Sequence, residues 1–368
     1  MKKTYRKFIF TMRTVAPVHI GSGYKFGTKE YINEDGLIYF PDMGKLYQHL
    51  VSEGLDEKFE EWLLKRNVQS TKVRLAQFLK ANGQSIQGYG GYTVRMMQTT
   101  EQGGVRQHAS RDRQSTEVNE VSQFIRDAYG NPYIPGSSLK GAIRTILLNT
   151  HWKDENFVQR YGNGKASEKK DVVDWGAHKN KQFDDIFNEI RVSDSNPMSN
   201  QDLLIVQKWD YSARKQIATA LPVYRESIAP FKVIKFEIVT TTERATELIK
   251  NLSKYASEFY TDYKNFYLSE QPNEYVTDNL PGYASLYLGS GSGVWTKTIF
   301  RQADGIVQNR YQRMKTKMIG KGVMKLTKAP QVKYKFKESV KTLVHNNESF
   351  YEMGKVAFFI EEVTQDGL

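Results

Sequence analysis

Three glycine–serine segments punctuate the chain, each where a strand or turn hands over to a helix or to a cation. The first is His19-Ile20-Gly21-Ser22-Gly23, and the second is Pro135-Gly136-Ser137-Ser138-Leu139-Lys140-Gly141. The third is Gly289-Ser290-Gly291-Ser292-Gly293, with Lys297 downstream. Such segments constrain a fold, because glycine adopts backbone conformations closed to other residues and lets another backbone approach closely. They also bear on function, since serine donates a hydroxyl and the free amides at a helix start favour an anion. In the second segment Ser137 or Ser138 is placed to cap a helix on which Leu139, Ala142, Ile143, Ile146 and Leu147 recur on one face. Lys140 and Arg144, four residues apart, share another face. Read alone, this segment is equally an ordinary capped amphipathic helix.

The loops do not describe a mononucleotide site. Neither PGSSLKGAI nor LGSGSGVWTKT satisfies G-x-x-x-x-G-K-[ST], and GSGSG misses the third-glycine spacing of G-x-G-x-x-G. An extended polyphosphate backbone is the better ligand, and no cofactor is expected.

Charge points the same way. Residues 297–341 hold thirteen Lys or Arg against Asp304 and Glu338, a local +11 within a net charge of +12. A local excess of one sign implies a polyanionic partner. The 22 Tyr and 19 Phe add aromatic faces of the kind that single-stranded nucleic acid stacks on. A solvated, Lys-rich surface that serves solubility is the plainer reading of the same run.

The absence of cysteine excludes disulfides, Cys-ligated zinc, iron–sulfur clusters and thiol nucleophiles. A soluble protein of the reducing cytoplasm is expected. No stretch approaches the roughly 18 apolar residues of a membrane span, and Arg13 interrupts the apolar run that follows the basic start.

Along the chain, residues 5–15 alternate with Phe8, Phe10 and Met12 on one face, the period of a half-buried strand. HIGSG reads as a turn after it, and YINEDGLIYF as a hairpin around Asp35-Gly36. Asp42 is a cap for a helix carrying Leu46 and Leu50; Ser70 or Thr71 is a cap for one carrying Leu75, Phe78 and Leu79. Residues 84–120 and 153–182 read as long irregular insertions. LLIVQKW, FKVIKFEIV, YASLYL and KVAFFIEEV read as strands, and residues 241–267 as one long amphipathic helix. Strands interspersed with helices, without βαβα regularity, indicate α+β with antiparallel sheets.

HIGSG after the first strand, IPGSSLKGAIR at a helix start, IRVSDS at 190–195, LPVYRESIAP and LGSGSG resemble, in this order, the RAMP superfamily of CRISPR proteins. With the weaker features FPDMGKLYQHL, VYRE and MGKVAFF, the order and spacing are most similar to the fifth-subunit family of the type III-A Csm complex. The resemblance runs from about residue 8 to the final strand. It implies two ferredoxin-like, RRM-related domains, residues 1–230 with both insertions and residues 231–368 with the GSGSG loop and the basic segment. It further implies a non-catalytic RNA-binding subunit that caps the filament, holds the 3′ part of the CRISPR RNA and supports its maturation. The implied partners are that RNA, the neighbouring RAMP backbone subunit, the small helical subunit and host nucleases. RNA contact is then expected of Ser22, Ser137, Ser138, Lys140, Arg144 and Lys297 at matching positions. Gly21, Gly23, Gly136, Gly289, Ser290, Gly291, Ser292, Gly293 and Arg301 complete the candidate set. The bulky Tyr24, Lys25 and Phe26 depart from the pattern, leaving open whether the first loop touches RNA or a neighbouring subunit.

Some RAMP proteins cleave RNA with a histidine or a loop aspartate, so an endoribonuclease is the alternative. The six histidines, His19, His49, His108, His151, His178 and His345, show no metal-ligand spacing. His19 alone stands beside a glycine loop. Asp194 lies in a polar turn, where a carboxylate most often binds nearby amides, and Asp112 lies within a solvated-looking ARDRQS cluster. No catalytic residue is assigned and no metal is expected. A protein scaffold whose basic segment meets an acidic partner is the third reading.

Overall fold

The computed structural model describes residues 5–65, 73–96, 118–151, 186–212, 217–266, 285–293, 295–297, 325–337 and 340–363. In chain order, β1 (Arg6–Thr14) is followed by β2 (Gly21–Gly27), β3 (Ile32–Glu34) and β4 (Leu37–Phe40). Helices α1 (Met43–Ser52), α2 (Asp56–Leu64) and α3 (Leu75–Ala81) come next, then β5 (Tyr92–Met96) and β6 (Glu120–Phe124). Helix α4 (Gly136–His151) precedes β7 (Ile190–Val192), β8 (Leu203–Ser212), β9 (Ile217–Ile228) and β10 (Val233–Thr240). Helices α5 (Glu243–Lys250) and α6 (Leu252–Phe266) lead to β11 (Ser285–Tyr287). The last strands are β12 (Lys325–Lys337), β13 (Val340–Glu352) and β14 (Lys355–Glu362).

The first sheet is antiparallel and ordered β11-β14-β1-β10-β7. The alternation of β1 sets its inner face: Phe8, Phe10 and Met12 are fully buried, and Phe10 stacks on Phe358 and meets Phe236 edge-on. Each such side chain withdrawn from water stabilises the fold by roughly 1.5–3 kcal/mol. Leaving β11 aside, the connectivity is β1-α4-β7-β10-α5/α6-β14, a split β-α-β in which β10 inserts between two parallel strands. Helices α4 and α6 pack on this sheet and on each other. They bury Leu139, Ile143, Ile146 and Leu147 from one, and Leu252, Ala256, Phe259 and Tyr263 from the other. The single helix expected over 241–267 is two helices, because the chain turns at Asn251, whose amide closes on the Glu247 carbonyl.

The second sheet is ordered β2-β6-β9-β8-β5-β4-β3, with β12 on β8 and β13 on β12. It is mixed, which corrects the expectation of antiparallel sheets throughout: β5 pairs parallel with β8, and β6 with β9. Parallel pairs need long crossovers, and here the chain containing α4 and β7 intervenes. Residues on both sides of position 230 contribute strands to each sheet.

The hairpin at Asp35-Gly36 is present, and both residues have positive φ (50° and 75°), as a twisted two-residue turn requires. Asp42 caps α1 through the Gly44 and Lys45 amides. The cap position of α3 is Arg74, not Ser70 or Thr71, and no side chain caps it. HIGSG is not a tight turn, since Val18 bridges Ile228 and β2 already begins at Gly21. Within the expected insertion at 84–120, residues 92–96 form β5, a strand internal to the sheet, and residues 97–117 lie outside the described residues. The insertion at 153–182 also lies outside them. Helices α1–α3 close a smaller core of their own around Leu46, Leu50, Phe59, Trp62 and Phe78.

Candidate nucleic-acid interface

The glycine segments meet at the end of the first sheet. Strand β11 delivers Gly289 at φ +75°, where a Cβ would lie 2.0 Å from the His19 carbonyl oxygen. The next amide, of Ser290, donates to that same oxygen at 2.7 Å. The first and third loops are therefore locked together by backbone, and glycine is obligatory at the contact. Past the loop, a short 3-10 turn brings Lys297 back, and its Nζ donates to the Gly289 carbonyl at 2.9 Å. The Thr296 hydroxyl bonds the carbonyls of Ser292 and Gly293.

The second segment starts α4 against the end of β7. A Cβ on Gly136 would stand 2.4 Å from the carbonyl oxygens of Val192 and Ser193. The Gly136 amide donates to Asp194 Oδ1 at 2.7 Å, while Ser195 holds Ile134 through both its hydroxyl and its amide. The VSDS segment thus seats the helix start. The first α4 amide, expected to await an external anion, is already occupied by the protein's own carboxylate.

Between the two walls lies an open cleft of about 320 Å³. Ser137, Ser138, Gly141, Ala142 and Thr145 of α4 face Gly289, Thr296 and Lys297, above a floor of Ile146, Phe259 and Tyr287. The remaining candidates fall elsewhere. Lys140 and Arg144 do not line the cleft, and the Arg144 guanidinium covers the Phe187 ring at 4.8 Å. Gly21, Ser22 and Gly23 are exposed on β2, where the Ser22 hydroxyl donates to Gln123 at 3.0 Å. Ser290 is exposed; Ser292 is buried, its hydroxyl directed to the Gly289 carbonyl. Gly291, at φ +97°, gives space to Arg225 Nη1, which would sit 2.5 Å from a Cβ there. Gly293 has φ +84° with open space around it. Arg301, like Asp112, lies outside the described residues.

A buried network that the motifs do not announce as such supports this assembly, although Glu226 lies within LPVYRESIAP and His19 opens HIGSG. Glu226 on β9 is fully buried; its carboxylate accepts from the Tyr92 hydroxyl at 2.8 Å and the Phe124 amide at 2.7 Å. It also pairs with Arg126 at 3.3 Å, whose guanidinium stacks on Tyr92 at 3.9 Å. Burial raises the Glu226 and Tyr92 pKa values, and the adjacent arginine opposes both shifts. The Glu226 main-chain oxygen accepts from His19 Nδ1 at 2.6 Å. Burial is the largest cause that lowers His19 to about 4, so the ring is neutral and turned inward. A second node lies behind the floor. Tyr263 and Tyr287 both donate to buried Glu352, the latter at 2.7 Å, and Lys355 Nζ stands 4.3 Å from the Tyr260 ring centre. Burial lowers the Lys355 pKa to about 8. Sequence spacing could not expose either node, because a charged residue within a strand signals burial only once its partners are in place.

Among the described residues, no group of three His, Asp or Glu is arranged to hold a metal ion, and no helix is long and apolar enough to cross a membrane.

The split β-α-β sheet is thus joined at its glycine loops to the second sheet. The model of the RAMP superfamily matches residues 11–281, and the chain belongs to that superfamily. Its relatives include the CRISPR system Cms protein Csm5 of Streptococcus thermophilus, 50% identical over 366 residues and covering 99% of each chain. The protein of the same name from Mycobacterium tuberculosis is 29% identical, over 83% of this chain and 86% of that one. Among solved structures, a chain of a Csm–crRNA–target RNA ternary complex of a type III-A CRISPR-Cas system aligns with a TM-score of 0.62 at 18% identity, covering 96% of this chain and all of the other. The crystal structure of T. onnurineus Csm5 aligns at 0.57 and 17% identity, covering 94% and 99%. These two likenesses concern the fold.

Proposed function

We propose that this chain is a Csm5-type subunit of a type III-A CRISPR Csm complex, and that it grips RNA without cleaving it. The reading rests on one observation: the α4 start and the late glycine loop, far apart in sequence, form opposite walls of one open cleft. Extensive identity to Csm5 of Streptococcus thermophilus supports the assignment to the complex. The βαββαβ sheet is one ferredoxin-like unit, and the mixed sheet with its ribbon carries the rest of the RAMP body. In the cleft, Ser137, Ser138 and Thr145 offer hydroxyls and Lys297 a cation to a phosphodiester backbone, which small residues allow to approach. The RNA held is the 3′ part of the CRISPR RNA, at the end of the filament, where neighbouring subunits and maturation nucleases would meet it.

The non-catalytic part of the reading is supported by what two of the three catalytic candidates do. His19 is buried on Glu226, and Asp194 holds the α4 start. Neither lines the cleft.

Phosphate contacts carry no sequence information, so affinity should depend on salt and not on spacer sequence. Fluorescence anisotropy with unrelated single-stranded RNAs tests this. Lys297→Gln is expected to weaken binding several-fold and equally for all of them. No RNA affinity at moderate salt, alone or in the complex, would refute the proposal, as would a loss confined to one sequence.

A further inference from the structure

Phe8, Phe10 and Met12 turn one face of the first sheet into the core shared with α4 and α6, so Ile9, Thr11 and Arg13 turn to the other. Directly opposed residues of an antiparallel pair share a face. One row across that second face is therefore Phe359, Thr11 and Lys235, and the next is Ala357, Arg13 and Val233. Phe359 and Val233 are 52% and 62% exposed, and Lys235 and Arg13 are exposed as well. The middle of the first row differs: Thr11 is 5% exposed, and its hydroxyl has no hydrogen-bond partner among the described residues. A buried hydroxyl left unpaired costs free energy that an incoming polar group recovers. On the other side of this row lie Glu361, Ile9 and Glu237, with Lys7 bound to Glu237 at 2.7 Å.

We propose that this open face of the first sheet holds one nucleotide of a single-stranded RNA, its base stacked on the Phe359 ring and its phosphate on Lys235. The inference rests on the RNA-binding reading above and adds a second contact, distinct from the cleft. Phe359 and Lys235 stand two strands apart, roughly 10 Å, with the unpaired Thr11 hydroxyl between them. An aromatic face, a hydrogen-bonding group and a cation follow one another as base, ribose and phosphate do. The carboxylates of Glu361 and Glu237 repel a phosphate backbone from one end of the face and direct it along Arg13 at the other. A protein partner fits less well. The core of a protein interface is apolar and depleted of charge, whereas here Arg13 stands directly opposite Val233 and Lys235 follows Val233 on the same face.

The test uses the full chain and unrelated single-stranded RNAs in anisotropy, with the cleft variant Lys297→Gln alongside. Phe359→Ala should weaken binding at least about five-fold, the loss expected for one stacked base, and Phe359→Tyr should keep it. Lys235→Gln should make the plot of log K against log[salt] shallower by about 0.7, the contribution of one phosphate. RNA carrying 4-thiouridine should crosslink on irradiation to the peptide that bears Phe359. Thermal melting of each variant checks that the half-exposed side chain is dispensable for folding. Unchanged affinity of Phe359→Ala, or a crosslink confined to peptides of the cleft, overturns the proposal while a weakened Lys297→Gln leaves the cleft reading standing. Unchanged RNA affinity of Phe359→Ala with loss of its co-purification with neighbouring subunits overturns it too, and assigns the face to a protein. A wild-type chain without RNA affinity would instead sink the reading on which the proposal rests.

Discussion

Position 19 shows how far a residue's role depends on partners distant in sequence. Histidine beside a glycine loop has the chemistry of an acid or base, and nothing in HIGSG forbids that use. Its Nδ1 is fixed by a carbonyl on β9, and its ring is packed edge-on against Phe124. Stability then depends on pH. The folded chain resists protonating His19 until about pH 4, whereas the unfolded chain takes that proton near the ordinary histidine value of 6.5. The stabilisation is complete above 6.5 and is lost as pH falls toward 4, by about 3 kcal/mol at most. Denaturant titrations of wild type and His19→Gln across this window should diverge accordingly; parallel curves would show that the ring is not held neutral. The glycines are legible in the sequence as close-approach residues, and Gly289 and Gly136 are such. That Asp194 occupies the α4 start, and that Glu226 and Arg126 pair in the interior, is not legible there, because burial of a charge leaves no mark on local spacing.

Among the elements, α4 is the most fully readable, since its apolar spacing and its small-residue start both lie within one short window. Even there, the sequence offers the face carrying Lys140 and Arg144 as the ligand face, and the structure instead turns Ser138, Gly141, Ala142 and Thr145 toward the cleft. At Gly141 a Cβ would meet nothing within 4 Å, so the protein's own packing gives no reason for glycine. Gly141→Ala is expected to raise stability by about 1 kcal/mol, the usual helix gain, and to weaken RNA binding by crowding the cleft. Stability and affinity moving in the same direction would contradict the assignment of this face to the ligand. The strands β5, β12 and β13 escape sequence reading for a different reason. Strand β5 lies in polar sequence and is defined by its pairing with β8 and β4, whereas β12 does alternate Val332, Tyr334 and Phe336 with lysines, a strand period hidden by reading residues 297–341 as a charge run.

At the scale of the molecule, the α+β character and the family resemblance follow from the order of motifs, while the interleaving of the two sheets does not. Strand β14 lies between β11 and β1, and its Val356 and Phe358 are buried in the common core. Deleting Lys355–Glu362 should therefore abolish cooperative unfolding, where trimming an edge strand would merely weaken it. A deletion variant that stays soluble and melts in one sharp transition would show that the first sheet tolerates the gap. The same topology has a temporal side. Phe8 pairs with Glu362, and Gly354 sits where a Cβ would lie 2.3 Å from the Leu288 carbonyl, beside the late glycine loop. A chain still emerging from the ribosome has one wall of the cleft long before the other can be set. Under the RNA-binding role proposed above, capture of a guide would wait on the residues through β14, and a chain terminated before them would lack the completed cleft.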